Sequence, residues 1–137
     1  MNKEQYVTFE VAKLLKEKGF DWECAMYYNA QHDEARIVSD TFICNWNDES
    51  LMERLIMSGA YSIPTQQMAM RWLWEEKGLN INAIYGDYPT LKKSFWMPQI
   101  DSLNGCYGVD DEDFFREYDS REDCIEAALI YTLNNLI

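Results

Sequence analysis

The chain is short of several things at once. In 137 residues it holds one histidine, His32, and twelve Lys and Arg against twenty-four Asp and Glu. A formal net charge of −12 repels phosphate backbones and anionic lipid over a Debye length. Direct nucleic-acid binding and a membrane partner are therefore not expected, whereas a basic protein partner or a cation suits the sign. No stretch approaches the roughly 20 apolar residues of a membrane span, and Met1 to Tyr6 is polar where a signal peptide needs an apolar core. A soluble, cytoplasmic protein is expected.

Local catalytic signatures are missing too. Cys24, Cys44, Cys106 and Cys124 are scattered singly with no Cys-x-x-Cys pair, so reduced, mostly buried thiols are expected in place of a zinc knuckle or disulfide framework. His32 lies in the polar turn N-A-Q-H-D-E and reads as a solvated loop residue. G-x-G-x-x-G, G-x-x-x-x-G-K-[ST] and G-x-S-x-G are all absent, which leaves phosphate-loop, dinucleotide and nucleophile-elbow chemistry without a local signature. No catalytic, cofactor-binding or metal-ligating residue is assigned.

What is present is apolar surface. Hydrophobic residues make up 47% of the chain and aromatics 15%, too much for a disordered segment. The length suits one domain of roughly 100 to 150 residues, so a single acidic α+β domain over residues 1–137 is expected.

Val7, Val11, Leu14 and Leu15 recur at helical spacing beside Thr8, a candidate N-cap, and Gly19 follows as the stop. This predicts a helix from about Thr8 to Lys18. Cys24 to Asn29 and Arg36 to Trp46 are rich in β-branched and aromatic residues around the polar Gln31 to Glu34, as in a hairpin. A short helix over Asn47 to Ser58 would be capped by Asn47 or Asp48 and would place Leu51, Leu55 and Ile56 on one face. Thr65 as cap and Gly78 as stop delimit a helix from Gln66 to Lys77. Leu79 to Tyr85 and Ser94 to Ile100, around the turn residues Gly86 to Thr90, suggest a second hairpin, with Pro98 at an edge or bulge. A last helix starts at Asp119 or Ser120, where D-S-R-E resembles a capping box.

The order is helix, hairpin, helix, hairpin, helix, with an antiparallel sheet packed by three main helices. A degenerate α-β-β repeat is one reading of that order, because K-L-L-K-E-K-G-F and W-L-W-E-E-K-G-L end alike. Shared capping chemistry is the other.

Acids and aromatics carry the candidate surface. Asp110, Asp111, Glu112 and Asp113 form the densest acidic run, without the glycine and terminal glutamate spacing of an EF-hand. It reads as a solvated loop that also favours the N-terminus of the last helix, and whether it holds a cation is left open. Phe114 and Phe115 follow directly, either docking residues for a basic, hydrophobic groove or core edge. Trp72 and Trp74, two apart on one helix, cannot share a face, so one of them is expected at the surface.

Three stretches resemble a family of small proteins from gut anaerobes and their prophage-like elements: Tyr6 to Asp21, with F-E-V-A-K-L-L-K-E-K-G-F-D; Ser62 to Ile81, with P-T-Q-x-x-x-x-x-W-L-x-E; and Glu122 to Ile137. The resemblance implies an accessory protein of a mobile element and transfers no residue role. Three functions remain open. One is a non-enzymatic interaction module using Trp72, Trp74, Asp110, Asp111, Glu112, Asp113, Phe114 and Phe115 as its surface, in its sharpest form an acidic mimic blocking a nucleic-acid-binding protein. The second is a ligand-binding protein or enzyme with a carboxylate and tyrosine site in a sheet-helix cleft. The third is a homo-oligomer joined through Met68, Met70, Trp72 and Trp74.

Overall fold

A computed structural model of the chain describes residues 5–29, 34–37 (backbone only) and 42–137. His32 lies outside them, as does part of the strand expected from Arg36 to Trp46. Among the described residues the fold is α+β, with four α-helices and two antiparallel three-stranded sheets where one sheet is expected. Length suggests one domain; contacts group the chain into two compact units, Met1–Thr65 and Gln66–Ile137.

In the first unit, α1 (Phe9–Glu17) starts where the Thr8 hydroxyl accepts the Val11 N–H at 3.3 Å. It buries Val11, Ala12 and Leu15 and ends before Gly19, whose φ of 91° suits a residue without a Cβ. The sheet has β1 (Met26–Asn29) between β2 (Glu34–Ile37) and β3 (Ala60–Ser62). Tyr27, Trp46, Met52 and Ala60 form its core cluster. Trp46 stacks on Tyr27 with ring centroids 4.2 Å apart, and its indole N–H donates to the Cys24 carbonyl at 2.8 Å. A buried indole needs such an acceptor.

The short helix α2 (Glu49–Arg54) is capped by Asp48, whose carboxylate accepts the Leu51 N–H. It buries Met52, with Leu51 half-buried against the same cluster, whereas Leu55 and Ile56 of the expected face are exposed because the helix stops after Arg54 and the helical period ends with it. Ile56 is 92% exposed with φ of 56°.

The second unit places α3 (Gln66–Lys77) and α4 (Arg121–Asn135) against the sheet β4-β5-β6, formed by β4 (Asn80–Tyr88), β5 (Lys93–Ser102) and β6 (Gly105–Tyr107). Ser120 caps α4 by accepting the Asp123 N–H at 3.1 Å. The Gln66 side chain reaches from α3 to α4, donating to the Glu122 carbonyl at 3.0 Å and to the Glu126 carboxylate at 3.1 Å. Ile81 and Ile100 are register partners and both buried, so the residues that alternate with them, Ala83, Tyr85, Trp96 and Pro98, share the helix-facing side. Asn82, Ile84, Gly86, Tyr88, Phe95, Met97 and Gln99 point the other way. No element of the second unit packs over that face as α3 and α4 pack over its opposite.

Candidate interaction surface

Strand register assembles an apolar hollow of the second unit. Ile84 and Met97 are opposite one another in the β4-β5 ladder, which puts their side chains together on the helix-free face. Cys106, Val109 and Phe115 complete the walls and Pro98 part of the floor of a groove of about 330 Å³. Ile84 is 47%, Val109 53% and Phe115 37% exposed. Contiguous apolar exposure of this kind marks contact or ligand sites more often than isolated exposed residues do.

The acidic run bridges two walls of that groove, leaving at Val109 and returning at Phe115. Its path is set by local chemistry. The Asp111 carboxylate accepts the backbone N–H of Asp113 at 3.0 Å and of Phe114 at 3.3 Å, an Asx turn. Gly108 enters the loop at φ of 85°, and a Cβ there would fall 2.7 Å from the Phe114 ring. Phe114 stacks on Tyr131 of α4, 4.4 Å between centroids and 14° between planes. Tyr118 closes the loop: its hydroxyl donates to the Phe114 carbonyl at 2.8 Å, and its backbone exchanges two bonds with Trp96 of β5.

The residues singled out from sequence therefore divide. Asp110, Asp111, Glu112 and Asp113 are exposed beside the groove, and Phe115 forms one of its walls. Phe114, 6% exposed, is core. Trp72, 2% exposed, leaves the surface because it faces inward from α3, while Trp74 is 52% exposed on that helix and does not line the groove. Ile84, Met97, Cys106 and Val109 are not among the surface residues expected from sequence, and Cys106 is exposed where mostly buried thiols are expected. For Ile84 and Met97 the one local signal is alternation along β4 and β5, and it becomes a site only once the strand register is known.

Among the described residues no group of three His, Cys, Asp or Glu comes together as a metal site, and no helix is long and apolar enough to cross a membrane. Burial pushes the Cys24 and Cys124 thiols up to about 11, which keeps them protonated and poor nucleophiles. The Tyr88 hydroxyl donates to the Glu117 carboxylate, and this hydrogen bond raises the Tyr88 pKa. No protein-family model, curated protein or solved structure matches the chain.

Proposed function

We propose that the chain is a non-enzymatic protein-interaction module, an accessory protein of a phage or mobile element, that binds a basic and partly apolar protein segment. The observation that carries this reading is the 330 Å³ apolar groove whose walls Val109 and Phe115 flank the acidic run, one directly before Asp110 and the other two residues after Asp113. Apolar walls supply burial, and the carboxylates of Asp110, Asp111, Glu112 and Asp113 select a cationic partner and speed its approach. Resemblance to proteins of prophage-like elements adds the mobile-element part.

Affinity capture from host lysate, run in parallel with the intact protein and with a Val109→Asp, Phe115→Ala variant, tests the reading. A partner retained by the first, lost with the second and weakened as salt rises supports it. Capture indifferent to both the variant and the salt means the groove is not the contact.

A ligand-binding alternative is favoured by one feature. A second hollow of about 320 Å³ between the acidic loop and α4 brings Asp111, Asp113, Arg116, Tyr118, Tyr131 and Asn134 together. A small molecule that raises the melting temperature, with the effect abolished by Tyr131→Phe or Asp113→Asn, would move the assignment to that hollow.

A further inference from the structure

The free edge of β4 has a hydrogen-bonding pattern that follows from its neighbours. Trp96 of β5 both donates to and accepts from Tyr118, at 2.9 and 2.8 Å, so the backbone groups of Trp96 point away from β4. In an antiparallel ladder these directions alternate residue by residue. Ser94, Pro98 and Ile100 share the direction of Trp96, and Lys93, Phe95, Met97, Gln99 and Asp101 face β4. Their register partners Tyr88, Gly86, Ile84, Asn82 and Asn80 consequently spend their backbone bonds on β5. Ile81, Ala83, Tyr85 and Asp87 are left with N–H and C=O directed outward, and no strand pairs with β4 on that side among the described residues.

Of the devices that usually blunt an edge, β4 has a single charge, Asp87. β4 has no proline, lysine or arginine, and its pairing with β5 runs unbroken through nine residues with no bulge. The far side of β5 is handled differently. Pro98 has no N–H to offer there, β6 pairs over Ile100 to Ser102, and Tyr118 covers Trp96. Among the strands of the second unit, β4 presents the longest outward row of donors and acceptors without such cover.

We propose that the partner segment docks by adding as a strand to the outer part of the β4 edge, taking the outward N–H and C=O groups of Ala83, Tyr85 and Asp87, as a basic, extended stretch with apolar residues at alternate positions. This rests on the interaction-module reading and specifies its geometry. An added strand sets every second side chain beside Ile84 and Tyr88, extending the apolar open face, while backbone bonds supply affinity independent of sequence. Charge chooses the occupant. Residues 66–137 hold thirteen Asp and Glu against six Lys and Arg, a net of 6 − 13 = −7. A cationic strand is drawn to this unit, and a second copy of the chain is repelled from it.

The probe is a synthetic peptide alternating lysine and valine, compared with one alternating glutamate and valine, and amide hydrogen exchange is followed residue by residue. The expected result is that the lysine peptide slows exchange at Ala83, Tyr85 and Asp87 by at least about tenfold and the glutamate peptide does not. Ala83→Pro removes one outward donor but no β4-β5 bond, so it should weaken the lysine peptide about tenfold with an unchanged circular dichroism spectrum. If the peptide binds and perturbs Phe115 and Val109 while the β4 amides exchange as before, the edge proposal is overturned and the interaction module stands. Failure to bind at either place defeats both. Protection of the β4 amides without peptide, growing with protein concentration, would identify a second copy as the occupant and overturn the proposal.

Discussion

Two adjacent phenylalanines should behave as opposites when truncated. Phe114 is 6% exposed and stacked on Tyr131, with its carbonyl held by the Tyr118 hydroxyl. Phe114→Ala removes a buried ring and an aromatic pair, which costs about 3–5 kcal/mol when the cavity does not collapse. Phe115 keeps 37% of its surface in solvent, so its truncation forfeits roughly three-fifths of a full burial, about 1–2 kcal/mol. The gap of about 2 kcal/mol corresponds to a roughly thirtyfold difference in unfolding equilibrium. Urea denaturation, read through exchange of the α4 amides of Leu129 and Leu133, measures it in the second unit directly. Partner capture should rank the variants the other way, with Phe115→Ala losing binding while still folded. Equal destabilisation by the two, or a larger loss from Phe115→Ala, would refute the division of this pair into core and surface.

Other expectations are as sharp. Ile56, β-branched at φ of 56° and 92% exposed, is strained with nothing to show for it, so Ile56→Gly should stabilise the first unit by about 1 kcal/mol in urea denaturation. Trp46→Phe leaves the Cys24 carbonyl without its indole donor and should cost about 2–3 kcal/mol, visible as faster exchange in β1. Cys106 is exposed, while Cys24 and Cys124 are buried; a thiol reagent at pH 8 should label Cys106 at once and those two only on unfolding. Because burial raises Cys24 and Cys124 from 9.0 to about 11, their contribution to stability is complete below pH 9 and is lost as pH climbs through 11. A urea midpoint that rises over that interval would contradict the buried neutral thiols.

The helices were the legible part of this chain because their signals are local. The Thr8 hydroxyl holds the Val11 N–H and the Ser120 hydroxyl holds the Asp123 N–H, and both caps can be named from a few neighbouring residues. α3 likewise covers Gln66–Lys77 before a glycine at φ of 68°. β3 and β6, three residues each, are too short for alternation to register and exist by virtue of the strands they pair with. Helix geometry separated Trp72 from Trp74 but could not say which faced inward, since that depends on where the sheet and α4 lie. The groove was the least legible feature, because Ile84, Met97 and Val109 meet only through strand register.

The distribution of polarity along the β4-β5 ladder argues that the open face has a purpose beyond folding. An antiparallel sheet with helices on one side commonly turns polar residues to the other. Near the helices the second unit obeys: Asn80, Asn82, Gln99 and Asp101 alternate with the buried Ile81 and Ile100. Farther out the rule is broken, with Ile84, Tyr88, Phe95 and Met97 on the same open side, and with Tyr85 56% and Leu91 71% exposed. Phe95 shields part of this surface by lying over Gly86, where a Cβ would approach its ring to 2.4 Å. These outer residues add little to the core made by Ile81, Ile100, Leu129 and Leu133, and burial gives the fold no return for leaving them apolar. The break in pattern coincides with the groove and with the unprotected part of the β4 edge. A strand docked there would bury the exposed apolar side chains and satisfy the outward backbone groups in one step.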